Sequence, residues 1–338
     1  MDIKEIISTI QSLAPERYAA SWDNSGTQVA GTLKNVERLA VCLDPLPGQL
    51  AEAVEWGAGL VVAHHPLYLK PTPPVSEGPY LAALRTLLPA GAWLYSAHTS
   101  LDSRPDGPAC WLGQELGLED RKVLESGQRF GALSVSFFIE QELGDDMADL
   151  LSNLDGVFGV SQDVTGEVRV LCYESAWALL RSVLDPFLAG LSKSRTEYFT
   201  TALQAPSENV GFGESGLLPE PMEYEAFAAH LQKLLGCGHW VEVGPRPKLV
   251  RRVAYLPGSG ASALAAVQAS GADVFVTGDV KYHQALDAAA MGLHVIDAGH
   301  FVIEEEMMRR FASELGAALP GVEVRFLSAA DPFSARFF

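Results

Sequence analysis

Two adjacent histidines, His64 and His65, lie at the centre of the stretch GLVVAHHPLYLK at residues 59–70. Residues 60–63 before them form an apolar run of the kind that fills a buried parallel strand, and Pro66 follows the pair. Two imidazoles at the carboxyl end of a buried strand lose packing and hydration unless something occupies the exit, and a metal ion or an anion would do so. Two further apolar runs, residues 92–97 and 293–297, lead into His98-x-x-x-Asp102 and His300-x-x-x-Glu304. A histidine with a carboxylate four residues on brings both side chains to one face if the exit turns helical. A fourth run ends in Thr277-Gly278-Asp279, with His283 just beyond. Nitrogen and oxygen donors without thiolate suit zinc, manganese, iron or magnesium, and not copper(I) or an iron–sulfur cluster.

These potential ligands exceed one tetrahedral site, and two divalent metal ions with a bridging carboxylate fit them better. The expected ligands are His64, His65, Asp102, His300 and Glu304, with Glu304 or Asp102 bridging. His98, Asp279 and His283 then orient ligands or transfer protons, as catalytic candidates. The competing explanation for Glu304, beside Glu305 and Glu306, is acid at a helix N-terminus, which predicts no metal there. Asp44, at another strand exit, is undecided; His230, His239 and His294 read as structural.

The elements that must position this set alternate. A helix over residues 3–13 is closed by Pro15. Strands at 39–43, 60–63 and 92–97 alternate with helices at 49–56 and 80–88, which predicts a parallel sheet with ligands gathered at strand carboxyl ends. Residues 22–28, WDNSGTQ, read either as a loop lining the site or as a capped connection. From residue 126 to 218 the order becomes β-α-β-β-α-β, the ferredoxin-like pattern, and no histidine falls in it. The chain therefore divides into a main α/β domain at 1–125 and 219–338 and an inserted α+β domain at 126–218. Gly211–Gly216 reads as a glycine-rich return loop and lacks the frame of a phosphate cradle. After it come strands at 252–256, 274–276, 293–297 and 322–326, with helices at 261–269, 282–290 and 304–315.

The two flanks also look like copies. An offset of 250 − 36 = 214 aligns Arg38 with Arg252, Ala40 with Ala254, Val62 with Val276 and Tyr68 with Tyr282 without a gap. The expected fold is α/β: duplicated βα units forming the main sheet, with both His-x-x-x-acid pairs around one crevice between two halves of that sheet.

Composition bounds the partners. The 338 residues are 48% hydrophobic, enough for two cores, and carry a formal charge of −18 with a pI near 4.8. Such a charge opposes loose binding to nucleic acid or anionic lipid. No signal-peptide layout opens the sequence and no apolar run approaches the roughly 18 residues that span a bilayer. The expectation is a soluble cytoplasmic chain that engages neither membrane nor nucleic acid. Cys42, Cys110, Cys172 and Cys237 show no C-x-x-C spacing and read as small buried apolar residues.

AHHPLYLK, SAHTSLD, TGDVKYHQALDA and DAGHFVIEEE, with the early WDNSGTQVAG and the late DPF at residues 331–333, resemble the GTP cyclohydrolase I type 2 homolog family, also called NGG-interacting-factor-three-like. The resemblance implies a di-metal centre on His64, His65, Asp102, His300 and Glu304. It also implies self-association, commonly as a toroidal homohexamer with sites facing an internal cavity, and a central insert similar to P-II or CutA proteins. Ser100 and Asp106-Gly107 depart from the family pattern, as does the missing Tyr-Glu-x-Pro stretch near residues 195–198. Two functions follow. One is a metal-dependent hydrolase acting on a nucleotide or phosphoester, with Arg104, Lys70 and Lys281 near enough in sequence to help hold phosphate. The other is a non-enzymatic metal-binding, metallochaperone-like or regulatory scaffold.

Overall fold

The computed structural model describes residues 1–70, 73–154, 156–190 and 198–336. The first half contains α1 (Ile3–Leu13), β1 (Gly26–Val29), β2 (Arg38–Cys42), α2 (Pro47–Trp56), β3 (Leu60–Ala63), α3 (Pro79–Ala90), β4 (Trp93–Ser96), α4 (Thr99–Asp102) and α5 (Trp111–Glu115). Asp2 caps α1 by accepting from Lys4 N at 2.8 Å, and Ile3, Ile6 and Ile10 form its buried stripe. Left-handed glycines, Gly57 and Gly91, end α2 and α3. The middle of the chain contains β5 (Glu119–Phe138), α6 (Asp145–Ser152), β6 (Val157–Gln162), β7 (Glu167–Tyr173), α7 (Trp177–Ala189) and β8 (Phe199–Glu223). The second half contains α8 (Tyr224–Leu235), β9 (Val241–Val243), β10 (Leu249–Tyr255), α9 (Leu264–Ser270), β11 (Val274–Thr277), α10 (Tyr282–Ala290), β12 (Val295–Asp297), α11 (His300–Ala318) and β13 (Glu323–Phe326).

The chain separates into two compact units, one of Met1–Gly127 with Gly211–Phe338 and one of Gln128–Val210. In the smaller unit β7 pairs antiparallel with both β5 and β6, and Val135, Phe137, Val168 and Val170 pack on Leu180, Leu184 and Leu188 of α7. Residues 191–197, where most of the missing Tyr-Glu-x-Pro stretch would fall, lie outside the described residues.

In the larger unit the two halves share a plan. The first sheet has the order β1-β4-β3-β2-β13, parallel except for β1 at its edge. In the second, β10, β11 and β12 run parallel, with antiparallel β8 and β9 on either side. Register confirms the kinship. Leu39 pairs with Leu60 and Val253 with Val274, and 253 − 39 and 274 − 60 are both 214. The copies therefore build two sheets rather than two halves of one, because each carries its own antiparallel edge strand.

Alternation along the strands sends residues to two faces. Leu39, Val41, Leu60 and Val62 join Val253, Tyr255, Val274 and Val276 in one core, which also takes Ile6 and Ile10 of α1, Phe227 and Leu231 of α8 and Phe311 and Leu315 of α11. Ala40, Val61 and Ala63 face α2 and α3; Ala254 and Phe275 face α9 and α10. Each such Leu, Val or Phe contributes about 1.5–3 kcal/mol, so the sheets are firm supports for side chains at their exits. No helix among the described residues is long and apolar enough to cross a membrane.

Gly211–Gly216 is not a return loop but part of β8. Glu214, Ser215 and Gly216 pair with Tyr255, Ala254 and Val253. A Cβ at Gly211 would lie 2.1 Å from Glu125 O and 2.7 Å from Gly127 N, so glycine there allows two backbones to touch. Gly127 and Gly211 are thus neighbours. Replacing residues 128–210 with a two- or three-residue bridge is expected to leave metal content per chain unchanged. Lost binding in a folded deletion variant would tie the smaller unit to the site.

Candidate metal centre

The strand exits deliver the histidines. Beyond β3, His64 N donates to Cys42 O and Leu43 O, and His65 N donates to Leu43 O, so both residues are fixed against the end of β2. After β4, Ala97 N donates to Ala63 O and His98 caps the single turn of α4, which carries Asp102. Past β12, Gly299 at φ 87° turns the chain into α11, which begins at His300. Glu304 is therefore one turn inside a long helix, not at its start as expected from a helix over 304–315. Asp279 sits beyond β11 at φ 56°, a conformation that aspartate tolerates better than most residues.

Glu304, 4% exposed, stands at the centre. Its Oε1 lies 3.8 Å from His64 Nε2, which is 3.7 Å from Asp102 Oδ1. Its Oε2 lies 3.2 Å from His65 Nε2 and 2.7 Å from His300 Nε2. His64 Nε2 and Asp102 Oδ1 are buried without a hydrogen-bond partner. Donors bound to one ion at about 2.0–2.2 Å stand roughly 2.8–3.6 Å apart. Against that range the contacts of Glu304 Oε2 at 2.7 and 3.2 Å are close, those about His64 at 3.7 and 3.8 Å are slightly wide, and the nitrogen and oxygen donors with two orphaned atoms suit a divalent ion.

The outer nitrogens are held. His64 Nδ1 donates to Ala97 O at 2.8 Å, His65 Nδ1 contacts Asp44 Oδ1 at 2.8 Å, His98 Nδ1 contacts Asp23 Oδ1 at 2.6 Å, and His300 Nδ1 contacts Asp279 Oδ2 at 2.8 Å. Acceptors on every Nδ1 turn every Nε2 inward, where a metal-bound imidazole would present its lone pair. His98 belongs with His64 and His65 in one group of possible ligand atoms, and His65, His300 and Glu304 form another.

Burial dominates the electrostatics. It lowers His64 to about 3, so that imidazole is neutral. Burial opposes charge on His65 and His300 too, but Asp44 and Glu304 raise the first to about 10, and Glu304 and Asp279 raise the second to about 9. Burial would raise Glu304, yet His64, His300 and His65 hold it well below the usual carboxylate range. Asp102 moves upward through burial and the charge of Glu304.

Of the expected residues, His64, His65, His98, Asp102, Asp279, His300 and Glu304 come together. His283 does not: it is exposed on α10 with its ring beside Tyr282. Arg104 is paired with Glu314, and Lys70 and Lys281 are exposed. His294 is buried against Tyr224 Oη at 2.9 Å. Two contributors had no reading of their own. The Asp23 side chain is fully buried and also accepts from Thr99 and Ser25; only the site-lining alternative for residues 22–28 hinted at it. Gly258 is the other. A Cβ there would lie 2.2 Å from Glu304 Oε1, and its φ is +69°. Gly258→Ala is expected to displace Glu304 and cut metal affinity at least tenfold with the fold retained; unchanged content in equilibrium dialysis would show that Glu304 can move aside.

With these positions in view, comparison with known proteins is decisive for kinship. A model of the family described as Duf34/NIF3 (NGG1p interacting factor 3) matches residues 1–332. The chain belongs to the Duf34/NIF3 family. Proteins named GTP cyclohydrolase 1 type 2 homolog are similar to it: one from Bacillus subtilis at 25% identity over 98% of both chains, and one from Halalkalibacterium halodurans at 27% over 91% of this chain and 90% of that one. Among solved structures, a Bacillus cereus protein related to NIF3 aligns over 99% of both chains at 27% identity with a TM-score of 0.83. A Staphylococcus aureus hypothetical protein, 24% identical, shares the fold over 99% of both chains with a TM-score of 0.72.

Proposed function

We propose that this Duf34/NIF3 protein holds two divalent metal ions and acts as a metal-dependent hydrolase on a nucleotide or phosphoester. The observation that supports this most is the split of Glu304, whose oxygens face two donor sets: His64 with Asp102, and His65 with His300. The relatives' name, GTP cyclohydrolase 1 type 2 homolog, is in keeping with a hydrolytic reaction at a nucleotide. Paired divalent ions would supply Lewis acidity and a water activated near neutral pH.

The chain's residues do the rest. Ala97 O, Asp44 and Asp279 keep His64, His65 and His300 in the tautomer that turns Nε2 inward. His98, whose ring centre is 5.1 Å from that of His64 and 5.6 Å from that of His65, is not needed in the five-ligand set. In this reading it takes and returns a proton. Asp23 would stabilise the imidazolium so formed. Self-association as a toroidal hexamer completes this reading, and sedimentation velocity tests it.

The test of function is metal content by elemental analysis of tag-free protein beside a turnover screen with GTP and simple phosphoesters. About two ions per chain with turnover supports the hydrolase. Two ions without turnover would move the reading to a metal-binding scaffold, and a protein that takes up no zinc, manganese or iron would end it.

A further inference from the structure

The cavity in front of the cluster narrows the substrate class; the inference rests on the proposed reading of the cluster as the reaction centre. Its volume is about 640 Å³, and His65 and His300 form part of its wall. That is within the range that takes a small organic ligand. Trp240, Phe301 and Phe333 line it, with Val241, Val302 and Pro332 beside them. Phe333 is 81% exposed, so its ring has an open face.

The acidic residues of the wall are Asp44, Asp279, Asp297 and Asp331; without metal, the charged His65 and His300 offset only two of the four, and no lysine or arginine is among the described residues that line it. Lys70, Lys281 and Arg104, the expected phosphate helpers, are absent from it. Two divalent ions would bring four positive charges. Asp102 and Glu304 cancel two, and the four wall aspartates exceed the remainder by two. Even a loaded cavity is therefore formally negative, and a polyphosphate entering it meets repulsion that its metal contacts must overcome. A flat ring meets aromatic walls and hydrogen-bond acceptors instead. Asp297 accepts through both oxygens, from Val280 N and Gly299 N, and Asp44 and Asp279 each hold a histidine, His65 and His300, that faces the cluster. Asp331 accepts from Phe333 N through Oδ1 and has its second oxygen for a ring N–H.

We infer that this cavity takes a neutral or cationic heteroaromatic ligand that presents N–H donors, such as a purine nucleoside, and discriminates against polyphosphates.

Guanosine and GTP are suitable probes because both offer the same N–H edge to Asp331. Their dissociation constants would be measured by calorimetry on the full chain, without metal and at fixed free manganese. Guanosine is expected to bind at least tenfold more tightly than GTP in both states. The Val241→Arg variant places a cation at a wall position that is 61% exposed and holds no ligand atom. It should tighten GTP at least tenfold and change guanosine less than threefold. GTP binding as tightly as guanosine, no binding of either, or an arginine that leaves GTP unchanged would each overturn the inference. Metal content and turnover test the hydrolase reading separately, since the order of affinities is measured without metal as well.

Discussion

Replacing Glu304 with alanine is expected to reduce metal from about two ions per chain to nearly none. The expectation follows from geometry: Oε1 lies near His64, whose Nε2 is also near Asp102 Oδ1, while Oε2 faces His65 and His300. Removing the carboxylate leaves two donors on each side, fewer than the three protein ligands that open zinc sites use. Changes to groups that merely hold a ligand weaken metal binding about 10–100-fold, so losing a shared ligand should exceed hundredfold for both ions. Dialysis against micromolar zinc followed by elemental analysis reads the result. Glu304→Gln separates charge from shape: it keeps the volume and one carbonyl oxygen, and should retain at most one ion. Two ions in a folded Glu304→Ala protein would remove Glu304 from the site and with it the argument for a shared carboxylate.

The parts of this site that could be read from sequence are those encoded locally. LVVA before His64 and VFVT before Gly278-Asp279 are buried strands of four because every residue in them is apolar or β-branched and the chemistry begins where they stop. The i, i+4 spacing placed Glu304 with His300 in the way a helix requires. Partners from distant segments are a different matter. Asp23 reaches His98 across 75 residues, and no periodicity in either segment says so. Gly211 looks like a turn residue in sequence, yet what demands glycine there is Glu125 O on another strand; Gly258 is a turn residue at φ +69°, but its closeness to Glu304 Oε1 could not be read locally. The repeat behind the offset of 214 extends to α8 and β9, which are the second half's counterparts of α1 and β1 in order and in edge pairing although their residues differ too much to show it in sequence.

Metal uptake at pH 7 is expected to release about two protons per chain. In the metal-free protein, despite burial, Asp44 and Glu304 keep His65 charged up to about 10, and Glu304 with Asp279 keeps His300 charged up to about 9. A divalent ion needs the lone pair of each Nε2, so both imidazolium protons must leave. His64, kept neutral by burial, contributes none, and Asp102, shifted upward, adds a fraction. Calorimetric titration with zinc in buffers of different ionisation enthalpy gives the number directly. Apparent affinity should then rise about hundredfold per pH unit for two protons, flattening as pH passes 9 and 10. The sign for metal-free stability is the reverse. Both histidines have folded values above the unfolded value of about 6.5, so their contribution is complete below that pH and is lost as pH climbs through 9 to 10. Loaded protein should not show this alkaline loss, because its imidazoles are already neutral. Asp279→Asn removes one carboxylate from His300 and should lower the proton count by part of a unit at pH 8 while Asp44 still holds His65. A count near zero at pH 7 in the unaltered protein would mean that Glu304 meets neutral imidazoles, and the ionic account of the metal-free cluster would fall.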